Sequence, residues 1–190
     1  MDNLMNLTFR PLTSGNWNDL EVLFGPGGAC EGCWCMFWML RRVDYEKLRK
    51  TGGTKNMFRG IVQKGVEPGI LAYYKDTPIG WCAIQPREKY IKLETSKILK
   101  PVDDQKVWSI VCFFVDRKYR NQGITKQLIS EAIIFARSKG AKIIEAYPVE
   151  PRKKMSSAFI YTGISTTFSH VGFTEVARRS PSRPIMRYYF

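Results

Sequence analysis

The chain has 190 residues, 44% of them hydrophobic and 25% charged, and a formal net charge of +13. This length and balance place it among globular proteins able to bury a core without staples, as one domain over residues 1–190. No run of about 18 apolar residues occurs, so no membrane-spanning helix is expected, and the excess of 30 Lys and Arg over 17 Asp and Glu favours an anionic partner: a nucleic acid, a membrane surface or a phosphorylated cofactor.

In chain order, Leu7 to Pro11 reads as a first strand. The Thr13–Asn16 turn offers caps for a short helix over Trp17–Phe24, which Gly25-Pro26-Gly27-Gly28 ends. Cys30 to Arg41 is rich in Trp, Met and Cys and carries no clear period. Met57, Phe58, Ile61 and Val62 have helical spacing, so Thr54–Lys64 is read as a helix closed by Gly65. Two strands follow, Ile70–Lys75 and Ile79–Gln85, joined as a hairpin by Asp76-Thr77-Pro78. Pro86 to Asp104 reads as loops with a short helix. Val107–Val115 is short, β-branched, aromatic and nearly all apolar, as a strand covered on both faces must be. After a sharp turn, Gly123–Lys139 forms a helix whose stripe of Leu128, Ala132, Phe135 and Ala136 faces the core; Gly140 caps it. Lys142–Val149 is the next strand. Ser156–Val171 is partly helical and broken by Gly163; Phe173–Arg179 and Ile185–Phe190 are the last two strands.

Strand, tight turn, helix, strand over Val107–Val149 is a βαβ crossover, so its two strands should lie parallel. The hairpins supply antiparallel strands. The expected fold is therefore α+β, with a mixed, largely antiparallel central sheet flanked by helices.

The turn Asp116–Gln122 joins a buried strand to a helix start. The first N–H groups of a helix have no partner within it and, with the helix dipole, form an anion site. Gly123 leaves room for a phosphate to approach the backbone, and Arg117, Lys118 and Arg120 add positive charge. No G-x-x-x-x-G-K-[ST] or G-x-G-x-x-G is present, so other common phosphate loops are excluded. The segment Arg120-Asn121-Gln122-Gly123-Ile124-Thr125 resembles the [RQ]-x-x-G-x-[GA] signature of the GNAT superfamily of N-acetyltransferases, with Thr125 in place of the usual Gly or Ala. Val115, Tyr119, Leu128, Ile129 and the late Gly172-Phe173 extend the resemblance over roughly residues 70–190. Cys33-Trp34-Cys35-Met36 and Arg183-Pro184-Ile185-Met186-Arg187 resemble segments of a bacterial branch of that superfamily.

The resemblance implies the GNAT fold and acetyl-CoA as cosubstrate. It divides the chain into an acceptor-side part (1–68), a cofactor-binding core (69–149) and a C-terminal part (150–190). It places the pyrophosphate on Arg120, Asn121, Gln122, Gly123, Ile124 and Thr125, and the pantetheine arm beside Phe113, Phe114 and Val115, whose peptide groups would polarise the thioester. It implies acetyl transfer to a primary amine by direct attack, with a base to take the amine proton and an acid for the thiolate. Glu145, acidic within an apolar strand, is the expected base; an ion pair is the competing reading. The position where the family places its acid Tyr is Phe168, so Tyr161 and His170 are the alternative acids.

On the acceptor side, Cys30, Cys33 and Cys35 lack the second pair that a zinc site needs, so no metal is expected. Trp34, Trp38, Trp81, Trp108 and Tyr147 are candidates for an aromatic pocket around a small amine, by cation–π contact if it is charged; core packing is the competing reading for each. Five cysteines without an export signal read as reduced thiols of a cytoplasmic protein. The expected substrate is thus a small-molecule amine, a metabolite or an aminoglycoside-like antibiotic. Acetylation of a protein lysine or N-terminus, and a non-catalytic CoA- or RNA-binding module, are the alternatives. No aromatic-and-basic RNA-binding signature supports a nucleic acid. Pairing of terminal strands into a homodimer is a further expectation.

Overall fold

The computed structural model describes residues 7–151 and 159–190. Seven strands, β1 (Leu7–Pro11), β2 (Gly69–Tyr74), β3 (Thr77–Pro86), β4 (Trp108–Val115), β5 (Ile143–Ala146), β6 (Thr174–Arg178) and β7 (Pro184–Tyr189), form one sheet in the order β1-β2-β3-β4-β5-β7-β6. Every pairing is antiparallel except β4 with β5, the crossover pair. The helices are α1 (Trp17–Phe24), α2 (Arg42–Lys50), α3 (Gly53–Gln63), α4 (Ile91–Glu94), α5 (Ile124–Ser138) and α6 (Ser165–Ser169).

Both faces of the sheet are covered, which is why β3 and β4 carry so few polar residues. On one face, α5 lays Leu128, Ala132, Phe135 and Ala136 onto Ile84, Ile110 and Ile144. On the other, α1 and α3 enclose an aromatic core in which Phe58 sits between Trp17 (ring centroids 5.9 Å apart) and Trp81 (6.2 Å).

Some elements depart from the sequence reading. Helix α2 is not expected from periodicity, because its residues are largely charged and Tyr45 alone is buried. The strand expected over Lys142–Val149 runs only from Ile143 to Ala146, with Val149 in an isolated parallel bridge to Ile164. The expected helical start at Ser156 lies outside the described residues.

Two irregularities in β4 prepare the site. The β3–β4 register pairs Ala83 with Cys112 but Ile84 with Ile110, so Val111 is an extra residue in the ladder. Such a bulge turns consecutive side chains onto one face; Val111 and Cys112 both join the aromatic side. Beyond it, β4 and β5 part. Their parallel ladder covers only Trp108–Ile110 against Ile144–Ala146. The segment 160–164 enters the opening: Phe113 N–H donates to Tyr161 O at 2.6 Å, and Val149 N–H to Gly163 O at 2.9 Å. Gly163 adopts φ +81°, and a Cβ there would stand 2.7 Å from the Phe168 ring, so no other residue fits without displacement.

Candidate active site

A cavity of about 740 Å³ opens where β4 and β5 part. Its two ends are chemically different. One is built by the loop after β4 and the start of α5: Tyr119, Arg120, Asn121, Gly123, Ile124, Thr125 and Lys126. The other is built by Phe24, Cys33, Cys35, Phe37, Trp38 and Tyr45 from the early segment, with Cys112 from the bulge. Phe113, Phe114 and Val115 run between them, and Tyr161, Thr167 and His170 also line the wall.

The first end is an anion cradle. Asp116 accepts from Lys118 N–H at 2.8 Å and starts a short turn over Arg117–Tyr119. Arg120 Nε donates to Val115 O at 2.9 Å, fastening the loop to the strand edge. Asn121 (φ +61°) and Gly123 (φ +78°) take left-handed backbone conformations and reverse the chain into α5. The helix begins with Gly123 as a cap that has no side chain, and its first internal bond runs from Gln127 N–H to Gly123 O at 3.3 Å. The N–H groups of Ile124, Thr125 and Lys126 therefore have no partner in the helix. They sit at the positive end of a 15-residue dipole beside Arg120 and Lys126. A Cβ added to Gly123 meets no atom within 4 Å, so the space above the backbone is open. Diphosphate chemistry fits this donor set. Of the expected cradle residues, Gln122 does not line the cavity; its amide donates to Lys118 O instead.

The strand edge is partly used. The Phe113 peptide N–H, expected to face a thioester, is taken by Tyr161 O. By alternation Val115 presents its N–H to the same edge, beyond that contact, while its carbonyl accepts from Arg120.

Glu145 is placed elsewhere, and this corrects its expected role as base. It is 1% exposed and does not line the cavity. Its carboxylate accepts from Arg87 Nη1 (3.0 Å), Arg187 Nε (2.8 Å) and the Tyr147 hydroxyl (2.6 Å). Arg187 in turn holds Asp103 at 2.6 Å, and Arg87 donates to Leu93 O and Leu99 O. Tyr147 is expected in the acceptor pocket, but its hydroxyl is buried in this network against Arg87 and Ser109, and burial pushes its pKa well up. Both carboxylate oxygens are engaged by guanidiniums, away from the cavity; the arrangement is the ion pair. An arginine within the buried β7 run Ile185-Met186-Arg187 is the signal that points to its partner.

The tryptophans divide. Trp38 lines the cavity. Trp34 stacks on Trp17 (6.0 Å), Trp81 is fully buried with its Nε1 on Cys35 Sγ at 3.0 Å, and Trp108 packs edge-on against Phe135 on the opposite face of the sheet. Trp34 and Trp81 are core residues, and Trp108 is half-buried against the core of the other face. Phe24, Phe37 and Tyr45 take their place, brought in by elements without a legible period.

Tyr161 and His170 both reach the cavity. Phe168 does not: its ring is buried against Phe113 and Phe173. Tyr161 packs edge-on to Phe37, and burial pushes its pKa up to about 12. Burial likewise raises the Cys33 thiol to about 11 and pushes the Cys35 thiol well up, the latter reinforced by Cys112. Among the described residues no group of three or more His, Cys, Asp or Glu is arranged to hold a metal ion, and no helix is long and apolar enough to cross a membrane.

Comparison with known proteins agrees with this geometry. A search of curated proteins finds no significant match. Among solved structures, the chain is similar to PaiA N-acetyltransferase from Thermoplasma acidophilum in complex with coenzyme A: TM-score 0.53, 15% identity, 98% of this chain and 100% of that one. It is similar to a GNAT-family acetyltransferase from Listeria monocytogenes: TM-score 0.58, 11% identity, 97% and 95% covered. It is also similar to a chain of the NatC complex bound to Gag peptide and CoA: TM-score 0.52, 14% identity, 98% and 99% covered. These likenesses establish the fold. The acetyltransferase (GNAT) family model matches residues 34–159, which include the whole anion cradle and most of the cavity wall. With that match over well more than half its length, the chain belongs to the GNAT acetyltransferase family.

Proposed function

We propose that the chain is an acetyl-CoA-dependent N-acetyltransferase that acetylates a primary amine of a small molecule in a ternary complex. The observation that carries this reading is the joining of two unlike ends in one cavity: unpaired helix N–H groups beside Arg120 at one, an aromatic and thiol-lined chamber at the other. Acetyl-CoA supplies the acetyl group as a thioester. The backbone of Gly123–Lys126 and the Arg120 side chain would hold its diphosphate, and the β4 edge offers the Val115 N–H to its arm. Tyr161, protonated throughout the working range because its pKa is about 12, is the residue assigned to donate a proton to the departing sulfur. His170, exposed at the end of α6, is the second candidate on this wall. Glu145 keeps a structural role.

The test is calorimetric titration of acetyl-CoA into the wild type and Gly123→Glu. The new carboxylate lies in the cradle, and its residue must adopt a positive φ. Micromolar binding that falls at least 100-fold in the variant, while CD and melting show a folded protein, supports the reading. A wild type that does not bind acetyl-CoA refutes it.

A further inference from the structure

The acceptor end of the cavity holds a combination that neither the family nor the fold requires. Its walls are aromatic rings and thiols. Burial keeps the Cys33 and Cys35 thiols and the Tyr161 phenol protonated, and the Tyr45 phenol is likewise pushed well up. None of these supplies a negative charge near neutrality. Among the described lining residues the one carboxylate is Glu31, whose side chain is 83% exposed and 3.9 Å from Arg49. Glu145, the buried acid nearby in sequence logic, is spent on two arginines. Two of these rings already carry a cation from outside the lining: Lys92 Nζ stands 3.0 Å from the Phe37 ring centroid and 5.1 Å from that of Tyr45, and burial lowers its pKa to about 8. Cations elsewhere on the wall are Arg120 and Lys126, with Arg183 beside Tyr161.

An ammonium entering this chamber would lose its water and find no buried anion, with Lys92 already against two of its rings. A neutral amine meets none of these costs. From this we infer that the acceptor is a weakly basic amine on an apolar or aromatic body, such as an α-amino amide or an arylamine, admitted in its neutral form, and not a polyamine or aminoglycoside. The inference rests on the acyl-transfer reading above. It also accounts for a site whose described lining holds no buried carboxylate to act as base. With a neutral amine the C–N bond forms as the C–S bond breaks, and the proton that nitrogen gives up is the one sulfur takes, so no net proton has to be removed. The Tyr161 hydroxyl is a group on the wall able to pass it on.

The size of the preference follows from the neutral fraction. At pH 7.5 an α-amine of pKa about 8 is neutral in about one molecule in four, and a primary alkylamine of pKa about 10.4 in about one in a thousand. The experiment uses two amines with the same ring, phenylalanine amide and 3-phenylpropylamine, with spermidine and kanamycin as polycationic competitors. Acetyl-CoA binding is titrated first. Binding of each amine to the protein saturated with CoA is then measured by calorimetry, and acetylation by thiol release, from pH 7 to 10. The expected result is a kcat/KM about 200-fold higher for phenylalanine amide at pH 7.5. For 3-phenylpropylamine, both affinity and kcat/KM should climb about tenfold per pH unit until its own pKa. If acetyl-CoA binds and spermidine, kanamycin or 3-phenylpropylamine is preferred at pH 7.5, the inference is overturned while the enzyme assignment stands. Equal affinity for the two phenyl amines, unchanged with pH, overturns it too. If acetyl-CoA does not bind, the assignment itself has failed.

Discussion

Replacing Glu145 separates a structural from a catalytic role for the buried carboxylate. In the wild type it accepts three hydrogen bonds of 3.0 Å or less, two from guanidiniums, and it is 1% exposed. Glu145→Ala leaves Arg87 and Arg187 facing each other with no anion between them, at positions 7% and 2% exposed. Breaking a buried pair in this way costs about 3–5 kcal/mol. Against a typical total of about 5–15 kcal/mol that is a large fraction. At about 2–4 °C per kcal/mol for a domain of this size, the melting temperature should fall by about 6–20 °C. Glu145→Gln keeps the volume and one acceptor, so its loss should be smaller. Urea unfolding and thermal melts give the stabilities. Acetyl-CoA titration and thiol release are then measured at a temperature where each variant is folded. The expected outcome is a large stability loss, acetyl-CoA affinity within threefold of wild type, and kcat of the folded Gln variant within tenfold. A Glu145→Gln protein as stable as wild type, with kcat down more than 100-fold and the acidic limb of its pH profile gone, would refute the structural assignment and restore the carboxylate as base.

Other consequences can be checked separately. Tyr161→Phe should lower kcat about 100-fold, the lower end of what a positioned acid contributes, with acetyl-CoA affinity unchanged in calorimetry. Asp103 is held at about 2 by its hydrogen bonds to Arg187, below an ordinary 3.8. A depressed carboxylate pKa contributes stability that is full above about 4 and is lost as pH falls toward 2. Acid melts should show that decline, and Asp103→Asn should flatten it. Phe58→Ala removes a ring buried between two indoles and should cost about 3–5 kcal/mol in urea unfolding, with no effect on acetyl-CoA affinity beyond that of reduced stability.

How much of this was legible in the sequence differs from element to element. β4 and α5 were readable because their burial writes itself into composition and period: an apolar run covered on both faces, and a stripe at Leu128, Ala132, Phe135 and Ala136. The turn and the Gly123 helix start were readable because their signals are local, within nine residues. The acceptor end was not. Its residues come from Phe24, from the irregular stretch around Cys33–Trp38, from the mostly charged α2 and from the bulge at Cys112, and no period links them. Tryptophan content suggested a pocket, yet the largest rings went to the core, where burial of Trp34 and Trp81 is worth most. Glu145 was rightly singled out as anomalous. Sequence alone could not name its partners, since Arg87 lies 58 residues before it and Arg187 42 residues after it.

The strand order has a kinetic meaning. β7 follows β6 in the chain but pairs with β5 as well, lying between the two. Until β7 docks, β5 has an unpaired edge and Glu145 has only the first of its two arginines. Contacts spanning this many residues close slowly, because the entropy of long loops is lost before their interactions form. Docking of β7, with Arg187 delivered against Glu145 and Asp103, should therefore be the late step of folding. A species arrested just before it would expose an apolar strand edge next to an unneutralised charge. Such a species is prone to swap its β7 with that of a second chain, so refolding yield should fall with protein concentration sooner than native stability would suggest.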